Sequence, residues 1–501
     1  MPDRPSLGPA RNFGPEVTDS SVPQNRPPKE WGRAGLELAV TVVPLQIAYW
    51  SQDQFLEDRD YKWRWDDQFT RFLTLKATRF DSNAFVVNSK HVVSGGVRYQ
   101  CFRANNLTLG ESFLGNLAAD LYWEYIVEWR EVVSINDHIL SVVGGTSVGE
   151  AFYQLTKYFC EQDGLLYRIL GFLNPYLKIN RALDRKSLRS ASPASPPGWH
   201  DFNFWLGARS FRSSSRPGNG VYPNLGGRTQ ITHLPEYGRP GRIDRRVTDT
   251  LFSELSFDLT PREEGLEEID FAGRIVAFGR FKQDLDARGR GFSSFFGIGS
   301  AFSFSQKREG AFYDSEEVRV KLDPVPEPKE PRKFRDKLSL VHLFGPVFDY
   351  TRFGDFKLRF VQEAYLDFGM INAFALNRYS EDHPILGTKT TLLYYGYYYG
   401  MGPTIASSLT VGRRSLEVAA ALKYHLSYSL QGRDRFQDEL TDDFPIRDSR
   451  LFWSLGLGYR IPRSPIEIRA SYEGIDRRGK IKSVTVKDVE IRFFAGLNYK
   501  F

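Results

Sequence analysis

Between Leu416 and Leu430 every even position is apolar, from Leu416, Val418 and Ala420 through Leu422, Tyr424 and Leu426 to Tyr428 and Leu430. The odd positions include Ser415, Glu417, Lys423, His425, Ser427 and Ser429. A period of two held this long belongs to an extended strand with one apolar face and one face that accepts charge. It returns at Leu451, Trp453, Leu455, Leu457, Tyr459 and Ile461, then at Ile466, Ile468, Ala470 and Tyr472 beyond a turn holding Pro462 and Pro465. Val489, Ile491, Phe493, Ala495, Leu497, Tyr499 and Phe501 carry it to the last residue. A soluble β-sandwich also alternates, but its strands average about five or six residues. Strands of about ten residues with aromatics near their ends fit an antiparallel barrel that crosses a membrane.

Twelve segments carry the pattern, near 201–211, 249–259, 269–281, 291–305, 337–350, 355–369, 387–400, 402–411, 415–430, 449–461, 465–475 and 485–501, with long polar loops at 431–448 and 474–483. Tyr499 and Phe501 share one face of the last strand. A terminal aromatic on such a strand looks like the assembly signal of bacterial outer-membrane barrels, which implies outer-membrane lipid and the assembly machinery as partners.

Composition narrows the alternatives. No stretch of 18 uncharged apolar residues occurs and mean hydropathy is −0.40, which excludes a polytopic helical membrane protein. The aromatic share is 15%, as interfacial girdles require. The 67 basic and 61 acidic residues are dispersed rather than gathered into a basic stripe, so no nucleic-acid partner is expected. Cys101 and Cys160 are too few for a disulfide framework. Residues 1–32 form a polar, Pro-rich tail without the charged and apolar regions of a signal peptide, so an outer-membrane location presupposes an export signal missing from this reading frame.

The expected fold is α+β: a helical domain over 33–187, a polar linker over 188–248 with one strand at 201–211, and a barrel over 249–501. Within the helical part, residues 34–55 read as a buried helix kinked at Pro44. Phe113, Leu117, Leu121, Tyr125 and Trp129 recur at helical spacing along 110–132.

Polar groups crowd this apolar region. Glu124 and Glu128, four apart, share a helix face. His91, Asn136, Asp137 and Glu150 are placed to converge on them. A histidine among carboxylates suits acid/base chemistry or a metal, and it equally suits a buried hydrogen-bond network that fixes helices. The same segments resemble a family of unknown function found in envelope proteins of Gram-negative bacteria. The blocks are Phe80, Asp81, Asn83, Phe85, Asn88 and His91; Trp123, Glu124 and Glu128; Ser134, Asn136 and Asp137; and Gly144, Gly145, Gly149 and Glu150. Val92 stands where the family tends to place proline. The resemblance implies architecture and location but no reaction.

Gly145-Thr146-Ser147-Val148-Gly149 matches a nucleophile elbow in letters only, since no parallel sheet precedes it. Gly297-Ile298-Gly299 lies in a strand and is no dinucleotide site. His138, His200, His233, His342, His383 and His425 show no ligand spacing, and nothing calls for a cofactor. The leading expectation is an outer-membrane barrel with a helical plug or cap, serving envelope structure or passage of a small solute. The alternatives are an outer-membrane enzyme acting on a lipid or cell-wall substrate through His91, Glu124, Glu128 and Asp137, and a soluble two-domain β protein.

Overall fold

The computed structural model describes residues 28–51, 64–74, 78–162, 164–184, 199–214, 220–263, 265–307, 336–385, 387–432 and 443–500. Among the described residues, eight α-helices precede the barrel: α1 (Trp31–Trp50), α2 (Trp65–Leu73), α3 (Phe85–Ala104), α4 (Leu109–Tyr122), α5 (Ile135–His138), α6 (Gly145–Cys160), α7 (Leu165–Leu170) and α8 (Pro175–Leu183). A short parallel pair, β1 (Thr78–Arg79) and β2 (Val133–Ser134), ties the segment before α3 to that before α5. Thr108 and Glu111 form a reciprocal cap that starts α4. Cys101 and Cys160 are free thiols.

Twelve strands follow: β3 (Trp199–Ser213), β4 (Gly220–Thr232), β5 (Gly241–Arg262), β6 (Gly265–Leu285), β7 (Gly291–Lys307), β8 (Lys337–Phe353), β9 (Lys357–Asn372), β10 (Tyr397–Arg413), β11 (Leu416–Ser429), β12 (Ile446–Arg460), β13 (Ile466–Ile481) and β14 (Val484–Lys500). Each pairs antiparallel with its chain neighbours, and β14 pairs with β3 to close the barrel, so every strand has a neighbour on both sides. α9 (Leu376–Asp382) and α10 (Thr390–Tyr395) lie in the β9–β10 connection.

The barrel begins earlier than the sequence pattern suggests. Residues 188–248, expected as a linker with one strand, supply β3, β4 and the start of β5. Gly226 and Gly227 interrupt the apolar rhythm of β4 because Trp205, Phe204 and Phe257 occupy the space their side chains would take. Conversely, 387–400 and 402–411 are not two strands: the first holds α10, and β10 runs unbroken through Gly402 and Pro403. One strand missed and one split offset each other in the count. The loop expected at 474–483 is the end of β13 and a two-residue turn.

Alternation assigns the two faces. On β3 and β14 the exposed side chains are Phe204, Leu206, Phe493, Leu497 and Tyr499. The opposite face is buried and charged. Arg492 on β14 reaches Glu268 on β6 at 2.5 Å, and Arg359 on β9 reaches Gln230 on β4 at 3.0 Å. Lys307 on β7 pairs with Glu490 on β14. None of these strand pairs is adjacent in the sheet, so the bonds cross the lumen.

The helices pack on the other face. Phe202, Thr229, Leu255, Gly273, Phe302, Val341 and Phe368 are successive partners along one register line from β3 to β9. They share parity with exposed Leu206. Phe202 meets Tyr158 and Phe159, Gly273 lies under Val148, Val341 under Gly144, and Phe368 against Phe80. The expected plug or cap is therefore corrected: the helical domain lies against the outer wall, and charged side chains of the barrel itself bridge the lumen. The reason is chemical, since the lumen wall is charged while the outer wall offers the apolar surface that helices bury.

Candidate functional site

α3 and α6 cross closely enough to merge their backbones. A methyl group on Gly95 would meet the Ser141 carbonyl oxygen at 1.9 Å, and one on Gly149 would meet the Gly96 oxygen at 2.7 Å. This contact draws the polar residues of α3, α4 and α5 together.

Asn136 stands at the centre. Its Oδ1 accepts from the Asp81 backbone N–H at 2.7 Å and from Ser134 Oγ at 3.1 Å, and its Nδ2 donates to Asp137 Oδ1 at 2.8 Å. Asn83 donates to Asp81 Oδ2. Glu124 Oε2 accepts from the Ser134 N–H at 3.1 Å, and His91 Nε2 lies 3.5 Å from Asp137 Oδ1. Asn88 donates to the Tyr397 and Tyr399 hydroxyls of β10, and Tyr399 donates to the Asp81 carbonyl at 2.8 Å. The outer wall thus completes the network. Glu128 accepts from Trp123 Nε1 at 2.7 Å at the rim.

Glu150 does not join this group. It lies in a second network, accepting from Arg103 at 2.7 and 2.8 Å, from Tyr99 at 2.7 Å, from Gln154 at 2.6 Å and from Thr250 of β5 at 2.7 Å. Arg98 and His138 share Asp120, each at 2.6 Å, and no sequence spacing announced that pairing.

Electrostatics separate the acids. Burial, followed by the charges of Glu128 and Asp137, holds Glu124 well above the usual carboxylate range. Burial, followed by Asp81 and Glu128, does the same to Asp137. His91 is lowered, chiefly by burial. Glu150 is pulled down to about 2, because Arg103 outweighs burial. Among the described residues no three His, Cys, Asp or Glu side chains are placed to hold a metal ion. Ser147 is buried and bonded to Val143 O and to Ser300 Oγ of β7, so the elbow-like motif anchors α6 to the barrel. Tyr499 faces outward and half-exposed, while Phe501 lies outside the described residues.

A groove of 1020 Å³ opens on the outer wall away from these networks, with Phe278, Phe296, Ile298 and Phe344 in its lining. Inside the lumen, two of the histidines without sequence spacing meet: His342 and His425 both bond Asp367, at 2.6 and 2.9 Å. They lie on β8 and β11, far apart in sequence, and only the barrel register unites them.

The fold is thus a closed twelve-stranded antiparallel barrel with an N-terminal helical domain. Residues 77–174, the part holding both helical networks, match the family model of a domain of unknown function, DUF3943. No curated protein matches the chain. Among solved structures, the chain is similar to outer-membrane expressed OmpT of Vibrio cholerae, at 9% identity over 62% of this chain and all of that one, with a TM-score of 0.25. The β domain of the Bordetella autotransporter BrkA is similar at 9% identity over 61% of this chain and all of that one, with a TM-score of 0.23. The translocator domain of NalP from Neisseria meningitidis gives 12% identity over 65% and 95%, with a TM-score of 0.20. Overlap at this level carries no functional information.

Proposed function

We propose that the protein is an outer-membrane barrel of the Gram-negative envelope whose role is architectural, with its helical domain held in the bilayer beside the barrel. One observation carries this reading: in both parts the charged groups are inside and the apolar groups outside. On the helices, Arg71, Asn88, Asp120, Asn136 and Glu150 are buried while Leu36, Val40 and Ile47 of α1 are 66, 66 and 63% exposed. α1 was expected to be buried, and only Ala34, Val42 and Gln46 of it are. Water penalises such a surface and acyl chains do not. The domain also touches the wall over its full height, from His200 near one strand end to Tyr397 near the other. The long connection 373–396 leaves from the side opposite 354–356 and 414–415, a side that also carries the two-residue turn 482–483.

Lumen-crossing ion pairs, with apolar clusters around Tyr237 at one end and Tyr379 at the other, favour an architectural role over solute passage. Folded in detergent, unheated protein should migrate differently from boiled protein on a denaturing gel, and planar bilayers should show no steady conductance. Equal migration with solubility in plain buffer refutes the membrane reading; a stable open pore refutes the architectural one. A second reading, an enzyme acting on a lipid or cell-wall substrate through His91, Glu124, Glu128 and Asp137, draws support from His91 Nε2 lying 3.5 Å from an Asp137 carboxyl that is raised by burial. Its test is loss of any detergent-phase lipase or cell-wall hydrolase activity in Asp137→Asn.

A further inference from the structure

We infer that the lumen holds a second, separate centre for acyl transfer, with Ser303 as nucleophile, His342 as general base and Asp367 as the residue that orients it. The three sit on consecutive strands β7, β8 and β9 and point into the lumen. Ser303 Oγ lies 3.0 Å from His342 Nε2, and His342 Nδ1 lies 2.6 Å from Asp367 Oδ1. Those distances and that order of contacts are the ones a serine nucleophile, its base and its orienting carboxylate require, whatever the fold that supplies them.

The surroundings fix the imidazole in the productive tautomer. Asp367 is buried and accepts two further hydrogen bonds on its other oxygen, from Thr404 Oγ1 and from His425 Nδ1 at 2.9 Å. It must therefore receive a proton from His342 Nδ1, which leaves Nε2 bare. Two donors, Ser303 Oγ and Lys423 Nζ at 3.2 Å, then share that bare nitrogen. An ammonium group does not settle against a protonated ring nitrogen, so Lys423 and Asp367 specify the same tautomer from opposite sides. His342 and Asp367 are almost wholly buried, whereas Ser303 is only half-buried, so the nucleophile is the most exposed of the three. His425 Nε2 is buried without a partner among the described atoms, a polar group left over once Asp367 is oriented.

The reaction class follows from these groups. Ser303 Oγ attacks the carbonyl carbon of an ester while its proton passes to His342 Nε2. The bond to the leaving alcohol breaks, and the alcohol takes that proton. Water then attacks the acyl-serine with His342 again as base, releasing a carboxylic acid and restoring Ser303. Because the site faces the lumen and not the apolar outer wall, its substrate is a soluble carboxylic ester rather than a lipid in the bilayer. The inference rests on the closed barrel and on one further requirement, that a small ester pass between the apolar clusters around Tyr237 and Tyr379.

The test uses the full chain folded in detergent, with folding established by the gel shift on heating. A fluorophosphonate probe, which transfers its phosphonyl group to an activated serine with loss of fluoride, should label wild-type protein, and peptide mass mapping should place the label on Ser303. Hydrolysis of p-nitrophenyl acetate should be lost in Ser303→Ala and reduced about 10⁴-fold in Asp367→Asn, the cost of the wrong imidazole tautomer. Ser305→Ala should match wild type. Folded wild-type protein that takes no label, or a label that maps elsewhere, overturns the inference. So does hydrolysis by Ser303→Ala at the wild-type rate; should that variant fail to fold, the labelled position in wild type decides alone.

Discussion

Glu150 on α6 accepts two hydrogen bonds from the Arg103 guanidinium on α3, at 2.7 and 2.8 Å, and both side chains are shut away from solvent. Removing one partner strands the other as an uncompensated buried charge, which costs about 3–5 kcal/mol. Arg103→Ala should therefore melt the helical domain at markedly lower temperature while the barrel keeps its heat-dependent gel shift. Glu150 sits at about 2 against an ordinary 4.5, so its contribution is complete above pH 4.5 and fades as pH falls towards 2. Circular dichroism melts at pH 7 and pH 3 check both statements. An unchanged melting point in Arg103→Ala at pH 7 contradicts them.

Glu124 has the opposite sign. Its acid is raised by burial and by neighbouring carboxylates, so the folded state favours the protonated form. Stability is greatest below the ordinary carboxylate value and declines as pH rises from there towards the raised one. Glu124→Gln keeps an oxygen for the Ser134 N–H and cannot ionise. The variant should melt higher than wild type at pH 8 and close to it at pH 4. A variant that melts lower at both values would show that the carboxylate is the stabilising form.

The crossing at Gly95 has no space for a side chain, because its Cβ position coincides with the Ser141 carbonyl. Gly95→Val should push α3 from α5 and α6 and open the Asn136 network, at a cost of at least about 1–3 kcal/mol. Hydrogen exchange at Asp81 and Ser134, whose N–H groups are bonded inside the network, should quicken in the variant. Wild-type protection at both amides would contradict the close crossing.

How much of this the sequence disclosed depended on which interactions were local. Strict alternation made β11, β12 and β14 legible, since each strand's pattern reports its own two faces. β4 was obscured because its glycines answer to Trp205 and Phe257 on other strands. Asn136 could be grouped with Asp81 from the crowding of polar residues, whereas Glu124 and Glu128, read as sharing an α-helix face, lie in and just past a π-helical turn, Trp123–Val127. Glu150 was misplaced because its partner, Arg103, is an unremarkable cation in sequence. His342 and His425 were dismissed for want of spacing, and their meeting at Asp367 is a product of strand register across the barrel. The side of the wall on which the helices pack was also hidden, because an apolar helix face fits a lumen or an exterior equally until the lumen's charges are known.

That side can be tested covalently. Ser147 Oγ on α6 and Ser300 Oγ on β7 lie 2.8 Å apart, and Ser300 points outward with Phe302. Cysteines at both positions stand close enough for a disulfide, whose Cβ atoms need an approach of about 3.5–4.5 Å. The double variant Ser147→Cys with Ser300→Cys should cross-link under mild oxidation, and non-reduced peptide mapping should recover the joined peptides. Ala301, the next residue, pairs with lumen-facing His342 and points inward. Ser147→Cys with Ala301→Cys should therefore stay reduced, because the wall of the barrel stands between the two thiols. The free thiols Cys101 and Cys160 are present in both variants and cancel from the comparison. If the Ala301 pair cross-links and the Ser300 pair does not, the helices occupy the lumen, and the bilayer placement of the helical domain falls with the outer-wall assignment.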